Sequence, residues 1–311
     1  MSRVLAGLLV ATLAFSAVLA DESPALAPGA TPFLWEVQGA KSKHYVLGSM
    51  HMLPESVHPL PPALESAYAA TRGLVFETDL EQLSSPELQS RMLGAARDDR
   101  PGGLKARVGD KLYRKLQSRA QSMGVPAPLC DTFRAWFCAL TLELFAMQHA
   151  GFSPEFGVDQ YFYAKAREDG RPVQGLETAL QQAALFIEMS EPMSAKLLAA
   201  TLEEKTSTSQ SPEELLRIWR DNDTAALEKM LKELRTQYPE IYARFLANRN
   251  RAWAPKLAEL FAGEIPQLVI VGAAHVPGAD GLLALLKDKG ITTRPVSAVI
   301  EPEAAPSTIK P

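Results

Sequence analysis

A Gly-x-x-His tetrad closes a short apolar run near each end of this chain. Gly48-Ser49-Met50-His51 ends the run Tyr45-Val46-Leu47, and Gly272-Ala273-Ala274-His275 ends Leu268-Val269-Ile270-Val271. Runs this short and β-branched read as buried strands. Each tetrad is followed by a Pro-containing turn, a helix-like stretch and another apolar run. A histidine in a glycine-opened loop just past a strand is where α/β proteins place ligand and metal chemistry. One such histidine constrains little. Two in matched settings predict a duplicated unit and a shared site.

The chain has room for that design. It has 311 residues, 47% of them hydrophobic, enough for a sizeable core in one large or two modest domains. A formal net charge of −4, with no dense Lys/Arg stripe, argues against nucleic-acid binding. Residues 1–20 stand apart. Arg3 is their only charge, Val4 to Leu19 is apolar and small, and Val18-Leu19-Ala20 precedes Asp21. This pattern predicts a secretory signal peptide cleaved after Ala20, hence a periplasmic or secreted protein with no stable membrane insertion after cleavage. An uncleaved anchor is the alternative. Residues 21–32, rich in Ala and Pro, read as a flexible lead-in, and residues 300–311 as a tail.

In an oxidising compartment Cys130 and Cys138 are free to pair. On one continuous helix, positions eight apart lie about 12 Å apart, too far for a disulfide. A bridge therefore needs Cys130 to precede the helix and fold back, which Pro126, Pro128 and Asp131 permit. Two buried thiols are the other reading.

Phe33 to Val37 and His44 to Leu47 predict a hairpin around the polar turn at Gly39 to Lys43. Pro61 to Thr71 reads as a helix, and Leu74-Val75-Phe76 as a strand leading into Glu77-Thr78-Asp79. From about 84 to 261 the periodicity is mostly helical, interrupted by a short strand at Pro172 to Leu176 that leads into Glu177. Ser211-Pro212-Glu213-Glu214 reads as a capping box. The strand Leu268 to Val271, a helix at Gly278 to Lys287 and a strand at Ile291 to Val296 finish the domain, residues 33–299. The expected fold is α/β: a mainly parallel or mixed sheet from two similar terminal βαβ units, with the helical insert covering the site.

At the strand exits stand His51, Glu77, Glu177 and His275. Two neutral imidazoles and a carboxylate suit a divalent transition metal such as Mn, Co or Zn, and a further carboxylate can serve as general base. The metal set expected is His51, Glu77 and His275. The catalytic set is Glu77, Glu177 and Arg249, the arginine orienting a carboxylate. The plain alternatives are a salt bridge to an arginine for Glu77, a helix cap for Glu177 and a solvated helix face for Arg249. Asp159 reads most simply as the start of the helix at Val158. HExxH, GxSxG, P-loop and GxGxxG signatures are absent.

Taken in order, these motifs resemble the TraB/GumN family of GxxH proteins. The resemblance is carried by Phe33-Leu34-Trp35-Glu36-Val37, Gly48-Ser49-Met50-His51, Val75-Phe76-Glu77-Thr78-Asp79, Gly157-Val158-Asp159, Gly175-Leu176-Glu177-Thr178, Arg249-Asn250 and Val269 to Gly278. It implies kinship with bacterial GumN-like proteins and the animal TIKI proteases. It also implies metal dependence, with His51, Glu77 and His275 in the essential positions. The expected function is a periplasmic metal-dependent hydrolase acting on a peptide or small molecule, most simply a peptidase. A non-catalytic periplasmic protein that binds a peptide or ligand in the same pocket is the alternative.

Overall fold

A computed structural model describes residues 33–125, 127–203 and 211–296. The expected signal peptide, lead-in, C-terminal tail and most of the polar run before Ser211 lie outside them. Six strands form one sheet: β1 (Leu34–Gln38), β2 (Tyr45–Ser49), β3 (Gly73–Phe76), β4 (Val173–Gly175), β5 (Gln267–Gly272) and β6 (Thr292–Pro295), in the order β4-β3-β5-β2-β1-β6. Strands β2, β3, β4 and β5 run parallel, and β1 is antiparallel to both of its neighbours. The sheet is therefore mixed. Its connectivity departs from a pair of adjacent βαβ units. Strand β5 inserts between β2 and β3, while β2 and β1 separate β5 from β6. Only pairings between the chain ends produce that order, and local patterning does not encode them.

The central strands are buried on both faces, as their continuous apolar sequences require. The helices are α1 (Pro62–Ala69), α2 (Leu80–Leu83), α3 (Pro86–Ala96), α4 (Gly103–Ser122), α5 (Ala135–His149), α6 (Val158–Glu168), α7 (Ala179–Ile187), α8 (Glu191–Thr201), α9 (Pro212–Arg220), α10 (Thr224–Gln237), α11 (Pro239–Tyr242), α12 (Asn248–Phe261) and α13 (Leu282–Lys287). Their starts follow capping chemistry. Ser85, Thr178, Ser190 and Ser211 each accept a backbone N–H, with Pro in the first turn after Ser85, Ser190 and Ser211. The helix expected from Ser84 to Ala96 is α3, which starts at Pro86 behind its Ser85 cap, and a separate short helix, α2, capped by Asp79, precedes it.

The main core joins the sheet to α1, α6 and α9 to α13, and two smaller clusters lie among the remaining helices. Cys130 ends a short 3-10 turn ahead of α5 and pairs with Cys138 on that helix, with Cα atoms 5.7 Å apart. The chain folds back before the helix, which removes the separation that a continuous helix would impose. Among the described residues, no helix is long and apolar enough to cross a membrane.

Candidate functional site

The parallel strands all end on one edge of the sheet, and their register decides what meets there. Ser49 is opposite Gly272, and Phe76 pairs with Ile270 on one side and Gly175 on the other. The residues just beyond these ends are His51, Glu77, Glu177 and His275. The register thus brings both GxxH loops to the edge that carries Glu77, with β5 next to β3 and β2 beyond it.

Glu77 is the centre of the arrangement. Its Oε1 accepts the Gly272 N–H at 2.8 Å and lies 3.6 Å from His275 Nε2 and 3.9 Å from His51 Nε2. Its Oε2 accepts from Arg249 Nη2 at 2.6 Å and Gln182 Nε2 at 3.1 Å. Burial favours the neutral acid, but Arg249, the two imidazoles and the Gly272 amide outweigh it and hold the carboxyl well below its usual range.

The two histidines differ. The His275 side chain is 5% exposed and the His51 side chain 61%. Asn250 fixes the His275 tautomer. Asn250 Nδ2 donates to the carbonyls of His275 and Asp280, which leaves its Oδ1 facing His275 Nδ1 at 2.6 Å. That ring nitrogen must donate, so Nε2 carries the lone pair, and Arg249 Nη1 approaches it at 3.0 Å. Burial, with help from Arg249, pushes the His275 pKa down to about 3. Trp253 lies against both partners, with its ring 4.7 Å from the imidazole and 4.5 Å from the guanidinium carbon.

His51 has the opposite environment. Its Nδ1 donates to Asp159 Oδ2 at 2.8 Å, while Ser49 Oγ donates to Asp159 Oδ1 at 2.9 Å. The buried Asp159 charge pushes the His51 pKa up to about 9, with a smaller contribution from Glu77. Asp159 does stand in the first turn of α6, but its side chain serves His51 and is not the helix cap; Gly157 holds the cap position. The spacing Gly157-Val158-Asp159 could have shown this only through its glycine. A Cβ there would come within 2.3 Å of the His51 carbonyl oxygen, so the two loops touch backbone to backbone.

Glu177 leaves β4 beside Glu77, its N–H donating to the Glu77 carbonyl. Thr178, not Glu177, caps α7. Arg249 donates through Nε and Nη2 to Glu177 and through the same Nη2 to Glu77. One guanidinium therefore bridges both carboxylates, and Arg249 is not on a solvated face. Burial nevertheless raises the Glu177 pKa, and Glu77 adds to the rise against Arg249. An i→i+5 turn at Ala243–Ala247 leads into α12, just ahead of Arg249 and Asn250. Such turns recur at functional sites. Arg251 points elsewhere, to Asn248 and Asp280.

These donors suit a divalent metal in their chemistry. Both imidazoles turn Nε2 toward one carboxylate oxygen while Nδ1 is held by a second residue, the usual support of metal-binding histidine. Ligands ~2.1 Å from one tetrahedral ion lie roughly 3.4 Å apart, close to the 3.6 and 3.9 Å spacings here. Arg249 Nη1, however, lies on the His275 lone pair, and among the described residues no three His, Cys, Asp or Glu are placed to hold an ion. The residue types and ring orientations are those of a metal site, but the side chains as they stand are not arranged to hold an ion.

Gly272 shows how little space surrounds this centre. A Cβ there would stand 3.0 Å from His51 Nε2 and 3.3 Å from Glu77 Oε1. Gly272→Ala is expected to displace one of those groups, lowering ligand affinity or activity at least ~10-fold while costing only about 1–2 kcal/mol of stability. Ligand titration and denaturant unfolding of the variant check both halves, and wild-type function would show that the two groups have room to spare.

The fold and the paired GxxH loops define a class, and comparison with known proteins identifies the same one. Residues 33–295 match the TraB/PrgY/gumN family, and the chain belongs to it. It is similar to the uncharacterized protein YbaP of Escherichia coli strain K12, 26% identical over 247 residues, 79% of this chain and 89% of that protein. The YbaP of Shigella flexneri is 26% identical over 243 residues, 78% of this chain and 87% of its own length. No solved structure matches.

Proposed function

We propose that this protein is an exported, metal-dependent hydrolase and that its substrates are peptides. One observation carries the reading. The imidazoles of both GxxH loops present Nε2 to the same oxygen of Glu77, each steadied at Nδ1 by a residue of its own, Asp159 or Asn250. His51, His275 and Glu77 would hold a divalent ion such as Mn, Co or Zn. A bound ion would supply Lewis acidity and a nucleophilic water near neutral pH.

The remaining work falls to the chain itself. Asp159 and Asn250 keep both Nε2 atoms turned to the centre. Arg249 neutralises Glu177 and steadies Glu77. Glu177, its proton affinity raised by burial, is suited to take and return a proton as general base. His51, open to the cavity, faces arriving substrate. Export rests on the pattern of residues 1–20, and sequencing the N-terminus of the secreted form tests it: Asp21 is the expected first residue.

The functional test is metal content and peptide hydrolysis of wild type, His51→Ala and His275→Ala. Wild type should bind about one equivalent of metal and cleave unfolded peptides only when loaded, and both variants should lose both properties. Variants that bind metal like wild type would sink the reading. A second reading, a non-catalytic peptide-binding protein, is favoured by the ion pairs of Arg249, which already give Glu77 and Glu177 a shared cationic partner without a metal. Peptide binding without turnover under any divalent metal would establish it.

A further inference from the structure

Beside the centre lies a cavity of about 320 Å³, with His51, Glu77, Thr78 and Asp159 at its head. Its apolar wall comes largely from α2 and α5. Leu80 and Leu83 of α2 and Leu140, Leu144 and Met147 of α5 present apolar groups, joined by Phe76 of β3. Leu140, Glu143, Leu144 and Met147 follow the i, i+3, i+4, i+7 spacing, so all four occupy one face of α5. Glu143 is the exception in that row.

Glu143 is only partly exposed, and its carboxylate stands on an otherwise apolar helix face where an arriving cation could pair with it. The other acids of the cavity have partners: Arg249 and Gln182 hold Glu77, and His51 and Ser49 hold Asp159. Among the described residues Glu143 has no hydrogen-bond or ion-pair partner, and the cavity lining contains no lysine or arginine. A second lining group is also unanswered. Thr78, 1% exposed and next in sequence to Glu77, has an Oγ1 with no partner. An apolar channel with a free carboxylate in its wall matches a long aliphatic stem ending in a cation, and a hydroxyl near the centre suits a peptide backbone group.

We infer that this cavity is a specificity pocket for a lysine or arginine side chain of a peptide, with Glu143 receiving the cationic head and α2 and α5 enclosing the stem. This rests on the reading of the site as one that handles peptides. It is independent of whether a peptide is cut.

The test measures binding by the full chain of three peptides, identical except for lysine, norleucine or glutamate at the central position. Norleucine keeps the aliphatic stem and drops the charge. The lysine peptide should bind at least ~10-fold more tightly than the norleucine peptide, the size expected of one charge-assisted hydrogen bond. Glu143→Gln, a partly exposed and nearly isosteric change, should remove that preference while leaving norleucine affinity in place. Glu143→Lys should turn the preference toward glutamate. Equal binding of lysine and norleucine by wild type overturns the inference, as does a lysine preference that survives Glu143→Gln, or no binding of any of the three. The wild-type comparison needs no variant to fold. Cleavage is scored separately. Selective binding without hydrolysis would leave the pocket assigned and remove only the hydrolase.

Discussion

Replacing Arg249 by alanine is expected to lower the free energy of unfolding by about 3–5 kcal/mol, the usual cost of stripping one partner from a buried ion pair. The guanidinium lies between two carboxylates that are themselves almost closed to solvent. Its loss leaves Glu77 and Glu177 facing each other without the cation that bridges them. Glu177 would take up a proton first, because burial and Glu77 already push its pKa up. That proton uptake limits the damage and makes the loss larger at high pH than at low pH. Arg249→Lys should recover no more than about half. An ammonium can answer one carboxylate, but it cannot donate at once to Glu177, Glu77, the Phe245 carbonyl and His275 Nε2 as the fork does. Urea unfolding of the two variants at pH 6 and pH 8 reads all of this. An alanine variant within about 1 kcal/mol of wild type would mean that the pair of acids is stabilised by something other than this guanidinium.

The strand exits are legible in the sequence because the apolar runs before His51 and His275 are closed by a glycine, while Glu77 and Glu177 each follow a short strand-like run. Hence His51, Glu77, Glu177 and His275 stand out without any structure. What they touch is much less legible. Asp159 looks like an ordinary first-turn acid, and only the approach of the Gly157 and His51 backbones reveals that it faces the imidazole. Asn250 is hidden between two arginines, although it sets the tautomer of His275. Strand order is not readable at all from one sequence. Placing β5 between β2 and β3 depends on pairing segments nearly two hundred residues or more apart, as Leu74↔Leu268 and Leu47↔Ile270 show. Helical periodicity marks α5 as a helix, yet it cannot say that the face bearing Leu140, Glu143 and Met147 looks onto the reactive edge of a distant sheet. Side chains that converge through tertiary packing leave no period behind.

Replacing Asp159 by asparagine is expected to separate the orientation of His51 from its charge. The asparagine oxygen can still accept one hydrogen bond, and the Ser49 hydroxyl can turn to accept from the new amide, so the fold should survive. The imidazole, however, loses the carboxylate that raises its proton affinity and selects its Nδ1–H tautomer. In metal-free protein the His51 pKa should fall from about 9 toward its ordinary 6.5, as followed by the ring resonances in an NMR titration. The sign for stability follows. A histidine that binds its proton more tightly when folded stabilises the native state fully below the unfolded pKa near 6.5, and loses that contribution as pH rises through the folded value. Wild type should therefore lose stability between about pH 6.5 and 9 from this group, and Asp159→Asn should flatten that limb. The exposure of the ring keeps the effect small, because solvent screens the pair. The functional effect should be larger, a drop of roughly 10–100-fold in metal affinity or turnover, the usual consequence of losing the group that orients a ligating histidine. A His51 that titrates in the variant as it does in wild type would show that Asp159 does not govern it. The difference between the exposed histidine and its buried counterpart would then need another cause.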